Sequence, residues 1–296
     1  MITCEVETIT RELAEEYLKT DKGNNRSLSM PHVAELVGKQ KRGEWVTNGD
    51  ALRFDTKGQL RDGQHRLKMV EHTGIPIEVV VVRGIESGAF STMDVGKKRS
   101  FSDVLGIERE KYPKQLSLTV QFVWRYLSRN MKGHVGSYEE MQTLLHDHPQ
   151  IRDSVHFYRG LKQPAGAPGY DGVSMSLHYL FSRVDKQKAN DFVSRYITGL
   201  YANEATDPIH VTREQIIHFE SSPRPPGALQ VFSLLVRAFN HYQAEKPLRY
   251  RLPLQKVSAI VDAPRIDGFP RDLFFTRPSD MQLMLAIGEP APEEED

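Results

Sequence analysis

The run IPIEVVVVRGI at 75–85 constrains the fold of this chain more than any other stretch. It is dense in β-branched residues and far too short to span a membrane, so it reads as a buried strand. Two elements lead into it. DALRFDTKG (50–58) sets an apolar stretch against an Asp-Thr-Lys-Gly turn, which signals a hairpin. HRLKMVEHTG (65–74) places Leu67, Met69 and Val70 at helical spacing and stops at Gly74, a C-cap. The order implies a βαβ-like unit.

Within that unit GQLRDGQHRL (58–67) lies at the strand-to-helix junction. Backbone N–H groups and the positive end of a helix dipole meet there, and the guanidinium of Arg66 adds a bidentate fork for phosphate. Arg66 alone reads as a helix-surface arginine. Asp62-Gly63 directly before it, which lets backbone approach closely, turns the reading towards a ligand. His65 stands between a ligand contact and a partly buried structural histidine. Asp62 reads first as an Asx cap of the helix, and second as a metal ligand or base.

Composition limits the partners. Hydrophobic residues make up 39% and charged residues 26%, with a formal net charge of zero, so no overall basic footprint argues for nucleic acid and only a local patch remains. One cysteine, Cys4, builds neither a disulfide nor a zinc site and points to a reducing compartment. Without a signal-peptide pattern or an apolar run of membrane length, the expectation is a soluble, cytoplasmic chain with no membrane partner.

Along the chain, TRELAEEYLKT (10–20) opens with Thr10 as N-cap, and MPHVAELVGKQKRGEW (30–45) reads as a second helix with Pro31 near its start and Gly43 near its end. ESGAFSTMD (86–94) is a short helix candidate, and VGKKRSFSDVLG (95–106) a basic loop leading into another. Strand signals then all but vanish. YPKQLSLTVQFVWRYLSRN, SYEEMQTLLHDHPQIRDSVHFYRG, MSLHYLFSRV, KQKANDFVSRYITGL and GALQVFSLLVRAFNHYQAEK are amphipathic helical patterns around a loop at 162–172, and EPAPEEED (289–296) is an acidic tail. The expected class is α+β: an N-terminal α/β domain over 1–110, a mostly helical domain over 111–255, and an extended segment with the tail over 256–296.

Other candidate sites are weaker. Lys97, Lys98 and Arg99 gather beside a glycine without phosphate-loop spacing, and read either as a solvated surface or as a contact for phosphate or DNA. The histidines at 134, 146, 148, 156, 178, 218 and 241 show no metal-ligand spacing. No nucleophile elbow is present. Phe122, Trp124, Phe232 and Phe239 read as helical core.

LRDGQHRL resembles the phosphate-binding motif of the ParB/sulfiredoxin-like superfamily in its DGQHR variant. The stretch 25–107 follows the layout of ParB-like proteins of bacteriophages and actinobacteria: an Asn-Arg segment, a helix and an Asn-Gly turn, then the motif, then an Asp-x-Gly-basic loop. LLVRAFNHYQAEKPLRYRL (234–252) resembles the late alanine–aromatic–asparagine helix of those proteins, so the likeness covers about residues 10–255.

The resemblance implies a nucleotide-binding domain. Its members include CTP-hydrolysing partition proteins, ATP-using sulfiredoxins, ADP-dependent serine kinases and regulators of DNA phosphorothioation. By motif, Gly63, Gln64, His65 and Arg66 contact phosphate, joined by Arg26, which matches a second arginine patch. Asp62, His65 and Asp94 are the catalytic candidates, and Asp62 the metal candidate. Sulfiredoxin's reactive cysteine belongs at Gln64, which excludes that chemistry, and partition proteins carry a glutamate there, which argues against their magnesium-dependent CTP switch. No helix-turn-helix domain is identified over 115–245. The expectation is a nucleotide-binding protein of phage or mobile-element DNA metabolism or modification, working in the host cytoplasm. It takes ATP, ADP or CTP, with Mg²⁺ as an accompanying ion, and NTP hydrolysis or phosphotransfer is open. The alternatives are a DNA-binding regulator or partition-like factor without catalysis, and a ParB-like nuclease. A homo-oligomer is also left open.

Overall fold

The computed structural model describes residues 1–23, 27–86, 89, 99–132, 136–200, 205–255 and 264–275. The chain is mixed α/β and its described residues divide into two compact units, one within Met1–Lys97 and one within Lys98–Thr276. Arg26, Asp94, Lys97, Lys98, His134, the acidic tail and nearly all of the helix candidate at 86–94 lie outside the described residues.

The first unit is built on a four-stranded sheet of order β1-β4-β2-β3. β1 (Thr3–Ile9) runs antiparallel to β4 (Ile77–Ile85), β4 runs parallel to β2 (Ala51–Asp55), and β2 pairs antiparallel with β3 (Leu60–Asp62). The parallel pair needs a crossover, and α3 (Gln64–Thr73) lies in that connection, as the βαβ-like reading expects. α1 (Arg11–Lys19) and α2 (Met30–Lys41) both pack on α3. Thr10 caps α1 by accepting from the Leu13 N–H.

β4 is less enclosed than its composition implies. Val79 and Val81 are buried, whereas Glu78 is exposed and Val80 and Val82 are half-buried. Val79 and Val81 meet Leu52, Phe54, Leu60, Ile9 and helix residues such as Val33, Leu67 and Val70 in one core. Each such buried side chain contributes about 1.5–3 kcal/mol. A strand buried on both faces was the expectation; helices cover one face here, and the second face keeps β-branched residues only half out of water.

The hairpin between β2 and β3 turns on Asp55. Its carboxylate accepts from the N–H of Lys57 at 2.8 Å and of Gln59 at 2.9 Å, and from Arg61 Nε at 2.8 Å and Nη2 at 2.6 Å. The side chain is fully buried. Burial raises the Asp55 carboxyl, but the Gln59 backbone, the Arg61 side chain and the Lys57 backbone together hold it below its ordinary value.

The second unit is helical throughout its regular elements: α4 (Phe101–Ile107), α5 (Pro113–Leu127), α6 (Tyr138–Asp147), α7 (Gln150–Gly160), α8 (Asp171–Ser182), α9 (Lys186–Thr198), α10 (Pro208–Glu220) and α11 (Ala228–Gln243), with a one-turn 3₁₀ helix at Arg271–Leu273. α8 is buried from Gly172 to Phe181 and packs against α5, α7, α9 and α11. Phe181 stacks on Phe239 with ring centroids 3.7 Å apart. Trp124, Phe232 and Phe239 are core and Phe122 packs against it, as their helical spacing suggests. SYEEMQTLLHDHPQIRDSVHFYRG, expected as one helical pattern, is two helices, because Pro149 ends the continuity after α6. β1 and α10 were not foreseen. Residues 264–275, part of the segment expected to be extended, place Ile266 and Phe269 in the helical core.

Candidate functional site

Asp62 closes β3, Gly63 turns the chain and Gln64 begins α3, so the DGQHR stretch occupies the strand-to-helix junction. Gly63 has φ +106°, in the left-handed region, and a Cβ there would run into the side chain of Leu52. Leu52 itself is fully buried, so the main chain of the turn is pressed onto the core. No side chain caps the start of α3. The Asx-cap reading of Asp62 therefore fails: the cap position is Gly63, and Asp62 is still a strand residue, paired in register with Arg53.

The Asp62 carboxylate instead holds two arginines. It forms a close ion pair with Arg53 and lies 3.6 Å from Arg66 Nη2. That same nitrogen of Arg66 donates to the Ala51 carbonyl at 2.9 Å. The Arg66 side chain is only 14% exposed, so it lies along the protein rather than out in water. Two guanidiniums thus share one carboxylate at the turn. A carboxylate so engaged suits the holding of arginines more than the binding of a divalent cation, and among the described residues no group of three or more His, Cys, Asp or Glu is arranged to hold a metal. Asp62→Asn keeps the shape and removes the charge; the expected cost is about 1 kcal/mol, the upper scale of partly exposed ion pairs. Urea denaturation at pH 7 checks it, and no change would mean that the arginines are held without Asp62.

His65 is buried, with 8% exposure, and its Nε2 accepts from the Ser29 N–H at 3.0 Å. That bond requires an unprotonated Nε2. His32 meets the His65 ring edge-on, with centroids 5.1 Å apart. Ser29 is the N-cap residue of α2, whose start also has no side-chain cap. His65 thus sets the first turns of α2 and α3 beside each other. Gln64 is buried next to it, at 8% exposure. Gly63, Gln64, His65 and Arg66 are brought together with Asp62; of Lys97, Lys98 and Arg99 only Arg99 is described, and it is exposed.

Three residues outside the sequence-based set form a polar framework in this unit. Arg83 on β4 reaches both oxygens of Glu7 on β1, and its Nη2 donates to the Tyr17 hydroxyl at 2.6 Å, which in turn donates to Glu7 Oε2 at 2.6 Å. The Arg83 hydrogen bond, resisted by burial and helped by Tyr17 and the charge of Arg83, lowers the Glu7 carboxyl. Burial, followed by the Glu7 contact, pushes the Tyr17 hydroxyl up to about 12. The signal was an ion pair across strands whose pairing the sequence does not disclose.

No helix among the described residues is long and apolar enough to cross a membrane. Comparison with protein-family models, with curated proteins and with solved structures finds no match to this chain.

Proposed function

We propose that this chain binds a nucleotide through the 62–66 turn of a ParB/sulfiredoxin-like domain and serves DNA metabolism or modification in a phage or mobile element. The observation that carries the reading is Gly63, a left-handed glycine between β3 and α3 with room for no side chain. The missing side chain lets the turn sit against Leu52 and lets α3 begin directly at the end of β3. Beside it lie the first turns of α2 and α3, neither with a side-chain cap, and the guanidiniums of Arg53 and Arg66 gathered on Asp62. Helix starts and guanidiniums both favour phosphate.

In this reading Gly63 and Gln64 supply backbone to the phosphates, Arg66 supplies charge, Asp62 positions Arg66, and His65 positions the start of α2. Arg26 belongs to the proposed set by the motif alone. Magnesium is assigned no step, because Asp62 already carries two arginines. Phosphotransfer or hydrolysis is the catalytic form of the proposal, and a turnover assay with ATP, ADP and CTP divides it from a binding module.

The experiment is a thermal-shift panel of ATP, ADP, CTP, GTP and deoxynucleotides, with and without Mg²⁺. A ligand at a hundred times its Kd stabilises by about 2.7 kcal/mol. At least one nucleotide is expected to raise the melting temperature by several degrees. No shift with any of them at millimolar concentration would refute the proposal.

A further inference from the structure

The helical unit contains a pocket of about 520 Å³, the size range of small-molecule sites. Its wall carries three arginines, Arg129, Arg265 and Arg271, and a single acid, Asp267. None of the three arginines forms an ion pair among the described residues. Three guanidiniums against one carboxylate around one concavity leave an excess of positive charge that an anion would relieve. The surrounding wall is aromatic, from Tyr126, Phe269 and Phe274.

The pocket is held from several sides. Arg129 follows the C-cap of α5 with φ +54°, a left-handed conformation that a non-glycine residue adopts at a cost. That conformation sets its guanidinium 4.5 Å from the centre of the Phe274 ring. Asn240 donates to the Arg265 carbonyl at 2.8 Å and accepts from the Asp267 N–H at 3.0 Å. Gln243 adds a bond to the Asp267 carbonyl at 3.1 Å. Ala238 and Phe239, the other two residues of the Ala-Phe-Asn run, are buried in the core, so this motif of α11 anchors the wall of the pocket.

Tyr126 supplies a further polar group. Its hydroxyl accepts from the Ile266 N–H at 3.2 Å, which leaves its own proton to donate. Burial, opposed by the Ile266 bond and the charges of Arg129 and Arg265, pushes that hydroxyl up to about 12, so it keeps the proton at neutral pH. The two arginines are therefore close enough to Tyr126 for their charges to be felt there.

We infer that this pocket is a binding site for a small polyphosphorylated ligand, held by Arg129, Arg265 and Arg271 around its phosphates. A concavity of this size admits a compact polyanion more readily than the convex backbone of a duplex. Arginine forks match phosphate oxygens in pairs, and a ligand bearing several phosphates engages all three. The site is separate from the 62–66 turn, and the two stand or fall independently.

The test titrates the full chain with inorganic tripolyphosphate and, separately, orthophosphate by calorimetry at low salt. Tripolyphosphate is expected to bind, at least tenfold more tightly than orthophosphate, and to weaken as salt is added. Arg129→Gln/Arg265→Gln/Arg271→Gln should lose at least tenfold in affinity. Arg271→Gln alone, on an exposed residue, should lose severalfold and serves as the check if the triple variant fails to fold. Arg249→Gln, at an exposed arginine outside the pocket wall, should bind tripolyphosphate as the wild type does, which ties the loss to the three pocket arginines. Absence of tripolyphosphate binding by the wild type, or equal affinity in the folded arginine variants, would overturn the assignment.

Discussion

Gly63→Ala is expected to destabilise the N-terminal unit by about 2–6 kcal/mol. Two costs add. A non-glycine residue at φ +106° carries backbone strain of about 1–3 kcal/mol, and forcing a methyl into a packed contact costs a further ~1–3 kcal/mol. The obstructing group is Leu52, fully buried between β4 and the helices, so it has little room to yield. Thermal and urea denaturation of the variant measure the loss, which for a unit of this size corresponds to roughly 10 °C or more. A change below about 1 kcal/mol would mean that the turn is not pressed on the core.

Asp55→Ala carries an expected cost of about 3–5 kcal/mol, the scale of breaking a buried ion pair from one side. The Arg61 side chain, only 14% exposed, would lose its carboxylate, and the N–H groups of Lys57 and Gln59 would lose their acceptor. The same residue sets an acid dependence. Its carboxyl is held below the ordinary value in the folded chain. Its contribution is then fully present above the unfolded value, near ~4, and is lost as pH falls through the folded value. Urea midpoints of the wild type should drop between pH 5 and pH 2.5 by more than those of Asp55→Asn. Parallel curves for the two proteins would show that Asp55 is not the group responsible.

How far the sequence discloses this molecule depends on the range of the interactions involved. The β2–β3 hairpin, α3 and its stop at Gly74 were legible because their determinants are local: an Asp-Thr-Lys-Gly turn, helical spacing and a left-handed C-cap glycine. β1 was not, because the short alternation of Cys4 and Val6 with Glu5 and Glu7 in TCEVETI marks an exposed face and not a buried one. Glu7 faces the same side as buried Val79 and is tolerated only through Arg83 and Tyr17, which lie far away in the chain. α10 was missed although Asp207 caps it and Pro208 starts it; its buried face recurs at helical spacing, but Thr212 and Gln215 on that face are polar and break the apolar signal.

The site shows the same division. That Gly63 turns and that Arg66 lies in the first helical turn could be read directly. The partners of Arg66 could not, since Ala51 is reached only once β2 and β3 have paired. Asp62 was assigned to the cap on the same local logic, and the cross-strand Arg53 displaced that role. The place of residues 264–275 against α5 and α11 is set by contacts such as Ile266 with Tyr126 across more than a hundred residues.

The central claim is that the 62–66 turn receives nucleotide phosphates, and Arg66 tests it most directly. Arg66→Ala loses a hydrogen-bonding charged group, so nucleotide affinity should fall by about 1.5–3 kcal/mol, roughly 10- to 150-fold. Because Arg66 also bonds the Ala51 carbonyl, Arg66→Lys, which keeps the charge and loses the fork, accompanies it as the gentler change. Both are titrated by calorimetry with the nucleotide that gives the largest thermal shift, in chains carrying Arg129→Gln, Arg265→Gln and Arg271→Gln so that the helical pocket does not contribute. Circular dichroism establishes that each variant is folded. The account expects binding by the chain with Arg66 intact and at least tenfold weaker binding by Arg66→Ala; equal affinity in a folded Arg66→Ala chain, or no nucleotide binding with Arg66 present, would contradict it.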